Sequence, residues 1–170
     1  MIETIYIESE IRSHPRTESI LSRFSKARIV ECERYGEVFN PKKQNFRLQK
    51  KKPALILARK HGNFILDAPK GFGIGGRKNY YFSHMLNCIY DCRYCFLQGM
   101  YRSANYVLFV NYEDFQNEIN NIVEQNPDEK EITFFSGYDC DSLALESVTR
   151  FVREFLPFFQ KHKKAVLELR

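Results

Sequence analysis

Short apolar runs alternate with stretches of helical period through the second half of the chain, and this alternation limits the fold more than any other feature. Residues 80–83 (Tyr-Tyr-Phe-Ser), 131–136 (Glu-Ile-Thr-Phe-Phe-Ser) and 165–169 (Ala-Val-Leu-Glu-Leu) read as strands. Between the first two, Phe115, Ile119, Ile122 and Val123 recur at helical spacing, and Asn126-Pro127 closes that helix. Val148, Phe151, Val152, Phe155 and Phe159 outline a second helix, expected to bend or end near Pro157. Strand–helix repeats of this size predict βαβ units and a parallel sheet. A closed eightfold barrel needs about 250 residues, whereas this chain has 170 and its third strand is its last element. The expected architecture is therefore α/β: a partial, shortened (β/α) barrel over residues 79–170, read as a fragment.

Residues 1–78 read as a small basic α/β region in front of it. Residues 3–7 predict a strand, Ile20, Leu21 and Phe24 one face of a helix, and residues 54–58 (Ala-Leu-Ile-Leu-Ala) another strand after Lys50-Lys51-Lys52-Pro53. The formal charge is +5, unevenly spread: residues 40–80 hold eleven basic side chains against Asp67, a net +10 that leaves −5 for the rest. Such a local excess suits a polyanion such as nucleic acid, and equally a solvated surface. No apolar run approaches the ~20 residues of a membrane span, and the charged N-terminus carries no signal segment, so a cytoplasmic protein is expected.

The five cysteines are an odd number in a chain without a secretion signal, which favours metal or catalytic use over a disulfide framework. Three of them, Cys88, Cys92 and Cys95, fall within eight residues just after a predicted strand. Thiolates at this spacing can hold three corners of an iron–sulfur cubane and leave the fourth iron open. Structural zinc remains the alternative. It prefers paired cysteines and a fourth protein ligand, here His84, Cys140 or Cys32.

The CxxxCxxC spacing, with Tyr94 before the third cysteine, resembles that of the radical S-adenosylmethionine superfamily. Three longer stretches resemble its spore photoproduct lyase family: residues 88–98 (Cys-Ile-Tyr-Asp-Cys-Arg-Tyr-Cys-Phe-Leu-Gln), 106–111 (Tyr-Val-Leu-Phe-Val-Asn) and 141–146 (Asp-Ser-Leu-Ala-Leu-Glu). The resemblance implies a [4Fe-4S] cluster on Cys88, Cys92 and Cys95, its fourth iron chelated by S-adenosylmethionine. Fed by an electron donor, the cluster would cleave the sulfonium, and the resulting radical would act on a UV-induced thymine dimer in DNA. The basic segment would then contact phosphates, and a lesion within a duplex would be flipped out. Tyr94, Phe96, Ser136, Gly137 and Asp139 are the implied cofactor-side residues, the last three in the loop that would approach the methionyl amino group. An ordinary strand-to-helix turn capped by Asp141 is the competing reading of that loop. In the family a cysteine three residues before the acid matching Asp141 returns a hydrogen atom. Tyr138 stands at that place here and Cys140 two residues later, so both are candidates. Phe96 stands where the family commonly has tyrosine and lacks its hydroxyl.

Gly71-Phe72-Gly73-Ile74-Gly75-Gly76 satisfies GxGxxG by letter, but Pro69 precedes it and a strand rather than a helix follows, so a loop is expected. Residues 99–105 read as a loop facing a ligand or as a plain connection. His84 is expected to pack near the cysteine loop. The rival functions are another radical reaction on the same cluster, a zinc-stabilised nucleic-acid-binding module, and an inactive fragment.

Overall fold

The computed structural model describes residues 2–74, 78–90, 92–96 and 99–170. Gly75 and Gly76 of the glycine-rich stretch, Arg77 of the basic segment, and Asp91, Leu97 and Gln98 of the cysteine stretch lie outside the described residues. The chain folds as two compact units, one of Met1–Lys60 with Met85–Val110, the other of His61–His84 with Asn111–Arg170.

In chain order the elements are β1 (Thr4–Glu8), α1 (Pro15–Leu21), β2 (Arg28–Cys32), α2 (Tyr35–Phe39), α3 (Phe46–Lys51), β3 (Leu55–Ala58), β4 (Leu66–Asp67), β5 (Lys78–Phe82), β6 (Met85–Leu86), β7 (Tyr106–Phe109), α4 (Tyr112–Gln125), β8 (Ile132–Ser136), α5 (Glu146–Thr149), α6 (Phe151–Phe159) and β9 (Ala165–Leu169).

The first unit is built on a five-stranded sheet of order β2-β1-β3-β7-β6. All its pairings are parallel except that of β6 with β7. Its middle strand, Leu-Ile-Leu-Ala, is buried along its whole length, the continuous apolar pattern of a strand covered on both faces. Pro15 opens α1 at a position where its missing N–H is not needed, while His14 caps the helix by accepting from the Arg16 amide. Phe24, expected on that helix face, lies in the turn after it, where its N–H donates to the Leu21 carbonyl. Glu8 is fully buried at the end of β1. Its carboxylate accepts from the amides of Tyr35 and Arg59, each at 2.7 Å, and so ties the start of α2 to the end of β3. Burial, with Glu8 and Glu37 nearby, pushes the Cys32 thiol up to about 11.

The second unit has a four-stranded sheet of order β4-β5-β8-β9, in which β5, β8 and β9 run parallel and β4 is antiparallel. Phe82, Phe115, Phe134, Phe151 and Phe155 fill its core. Phe155 stacks on Phe151 at 4.4 Å and on Phe82 at 5.6 Å between ring centroids. Tyr112, Phe115, Ile119 and Ile122 bury one face of α4, the expected stripe with its start moved back to Tyr112. Helix α6 does not follow the expected course. The segment breaks at Arg150, whose φ of 52° is left-handed, and then runs through Pro157 to Phe159. Pro157 sits late in α6, where the one intrahelical bond it removes, to residue 153, is tolerated. His84 is fully buried and stacks on Phe151 at 4.1 Å, with no hydrogen-bond partner on either ring nitrogen. Burial lowers its pKa to about 3 and keeps the ring neutral.

The architecture is α/β with two predominantly parallel sheets, and no closed barrel forms among the described residues. No helix among them is long and apolar enough to cross a membrane.

Candidate metal centre

The cysteine segment starts directly after β6. Asn87 adopts a left-handed φ of 65°, a conformation asparagine tolerates better than most residues. Its amide nitrogen donates to the carbonyls of Ser103 and Asn105, each at 2.7 Å, so the two ends of the loop are joined through one side chain. The 103–105 segment is anchored in turn. The Asn105 side-chain oxygen accepts from the Ala54 amide at 3.0 Å, and the Gln49 side-chain oxygen on α3 accepts from the Ala104 amide at 3.0 Å.

Between these anchors Cys88, Cys92 and Cys95 lie outside any disulfide and are of intermediate exposure. The Tyr90 amide donates to Cys88 Sγ at 3.5 Å, and the Cys95 amide to the Cys92 carbonyl at 3.0 Å, forming a tight turn. A small cavity of about 50 Å³ lies against Cys88 and Cys95, with Phe46 and Lys50 of α3 and Tyr106 of β7 in its wall. Burial and the neighbouring Cys88 raise the Tyr106 hydroxyl pKa. The loop's aromatic residues point outward: Tyr94 is 92% and Phe96 67% exposed. Among the described residues no three Cys, His, Asp or Glu side chains gather closely enough to hold a metal ion. The donors themselves suit an iron–sulfur group: three reduced, accessible thiols on one short loop, one already receiving an amide N–H.

The other expected site residues follow β8 in the second unit. Ser136 is buried, its hydroxyl shared with Ser142 at 2.9 Å and donated to the Glu168 carbonyl at 3.0 Å. Gly137 has a φ of 77°, and a Cβ there would lie 2.5 Å from the Arg170 carbonyl and 2.8 Å from that of Cys140, so only glycine fits this turn. Its N–H donates to the Phe82 carbonyl at 3.0 Å. Tyr138, 41% exposed, lies with its ring 4.3 Å from that of Tyr81. Burial, then Tyr138 and Asp139, raise the Tyr81 hydroxyl pKa. The Asp139 amide donates to Ser83 Oγ at 2.8 Å, and Cys140 is buried. Asp141 accepts from the Leu143 amide at 2.8 Å, two residues ahead and before any helix, so it closes a turn rather than capping α5. Tyr81, Phe135, Tyr138, Phe72 and Arg170 line a cavity of about 160 Å³, with the Arg170 guanidinium 4.1 Å from the Phe135 ring centre.

The structure thus places the three cysteines, Tyr94 and Phe96 in the first unit, and Ser136, Gly137, Tyr138, Asp139 and Cys140 in the second. Sequence reasoning missed Asn87, Gln49 and Asn105. The available signal was a polar residue that tolerates left-handed backbone immediately before the first cysteine. The described part of the glycine-rich stretch, residues 71–74, leads towards β5 and opens no helix.

No family model matches the chain, and no curated protein matches it in sequence. Its fold is that of solved structures of spore photoproduct lyase. A cysteine-to-serine mutant of that enzyme superposes with a TM-score of 0.79 at 18% identity, over 98% of this chain and 48% of the other. A double mutant with bound AdoMet and dinucleoside spore photoproduct, and the enzyme complexed with the dinucleoside alone, each match at 0.78 and 18% identity with the same coverage. The chain therefore spans about half the length of the structures it resembles.

Proposed function

We propose that this chain carries the cluster-binding part of a radical S-adenosylmethionine enzyme acting on UV-damaged thymine in DNA. The observation that carries the reading is the loop of three cysteines outside any disulfide, Cys88, Cys92 and Cys95, on a chain whose fold matches spore photoproduct lyase over nearly its whole length. These thiols would hold a [4Fe-4S] cluster. When bound, it supplies the electron that cleaves the sulfonium of S-adenosylmethionine, and it needs an external electron donor.

The chain's own residues support the rest. Tyr94 and Phe96 flank the third thiol as exposed apolar surfaces for the cofactor. Gly137 keeps the loop after β8 free of a Cβ. Ser136 braces that loop from below through Ser142, and Asp139 offers a carboxylate for an ammonium. Tyr138 or Cys140 would return the hydrogen atom; Tyr138 is the exposed one of the two and has Tyr81 beside it. Residues 1–78 would serve as a basic DNA-contacting region and 79–170 as the first part of the catalytic barrel. A cytoplasmic setting suits free thiols.

The test is to incubate anaerobically reconstituted protein with S-adenosylmethionine, dithionite and the dinucleoside spore photoproduct. Formation of 5′-deoxyadenosine together with thymidylyl-thymidine supports the reading. 5′-Deoxyadenosine without lesion reversal would point to a different radical reaction, and the absence of both products would contradict the enzyme reading.

A further inference from the structure

Asn87 combines three features that a plain connecting turn does not need. It is only 7% exposed, its backbone is left-handed, and both amide hydrogens are used on carbonyls 16 and 18 residues away. It also stands immediately before Cys88. The register of β6 on β7, with Leu86 opposite Val107, brings Asn87 alongside the strand end that its amide grips. The gripped segment is fixed to α3 through Gln49, and α3 supplies Phe46 and Lys50 to the cavity wall against Cys88 and Cys95.

We propose that Asn87 is a positioning residue for the thiol loop: its side chain closes the loop and its left-handed backbone sets the direction in which the chain leaves β6 into Cys88. The inference rests on reading these cysteines as metal ligands, though not on which metal or reaction they serve. A residue that orients a ligand from behind commonly changes metal affinity 10- to 100-fold when lost. Asn87→Gly keeps the backbone conformation and removes both hydrogen bonds. Asn87→Asp keeps the shape and opposes the two carbonyls with a third acceptor.

The probe is cobalt(II) alone, titrated anaerobically into the reduced chain and followed by its thiolate-to-cobalt absorption, with thermal unfolding of the metal-free protein recorded beside it. The inference expects affinity about tenfold lower for Asn87→Gly and about a hundredfold lower for Asn87→Asp, with the Asn87→Gly band shape shifted. An Asn87→Gly chain that binds cobalt as tightly as wild type and shows only a lower unfolding midpoint would overturn it. So would a wild-type chain without thiolate bands. Iron and sulfide uptake is scored separately. Thiolate–cobalt binding with the expected ranking, in a chain that takes up no sulfide, would sustain this inference while sinking the radical-enzyme reading.

Discussion

The core of the second unit and the cysteine loop of the first use aromatic residues in opposite ways. In the core, Phe82, Phe151 and Phe155 are buried and stacked, and even a histidine is taken in without a polar partner. In the loop, Tyr90, Tyr94 and Phe96 face outward, while buried asparagine amides and the half-buried Gln49 do the holding. Burial of rings stabilises without demanding direction, so the core sets which elements pack together. Hydrogen bonds demand direction, so they suit a segment whose thiols must point a particular way. Stability and the proposed chemistry thus fall on different residues here, and substitutions should separate them.

The largest effect belongs to the core. Phe155→Ala removes a fully buried ring with four aromatic neighbours, and should destabilise by about 3–5 kcal/mol, read from urea unfolding. Glu8→Ala tests whether a polar clasp can matter nearly as much. It leaves the Tyr35 and Arg59 amides without their acceptor and should lower stability by about 2–4 kcal/mol. An unchanged urea midpoint would mean that those amides find other partners.

His84 gives a pH-dependent comparison. Its folded pKa of about 3 lies below the ordinary histidine value, so its contribution is fully present above about pH 6.5 and is lost as pH falls. The slope is at most about 1.4 kcal/mol per pH unit between those values. Unfolding followed from pH 7 to 4 should show this decline, and His84→Leu should flatten that part of it. The smallest effect is expected at the loop. Tyr94→Ala, at a residue 92% exposed, should change stability by no more than about 0.5 kcal/mol. A larger loss would show that the loop's aromatic residues serve the fold after all.

What could be read from the sequence follows the same division. Strands β3 and β8 and helix α4 came from apolar pattern alone, because each buries what its pattern presents, and β5 and β9 were legible as apolar runs although they are only partly buried. Strand β2 did not: Arg-Ile-Val-Glu-Cys is an edge strand, mostly exposed, with no face to betray it. The breaks at Leu145 and Arg150 were hidden for another reason. Both are left-handed at residues that seldom adopt that conformation, so local preference gives no sign of them. In the loop the thiols announced themselves by spacing. Their supports did not, since Asn87, Gln49 and Asn105 act across tens of residues and carry no periodic signal.

Cys88, Cys92 and Cys95 are proposed to hold an iron–sulfur cluster, and the iron, acid-labile sulfide and zinc content of anaerobically reconstituted wild type beside Cys88→Ala tests this without intermediary. About four irons and four sulfides per chain, lost in the variant, are expected. About one zinc with no sulfide would contradict the proposal and leave a structural metal module in its place.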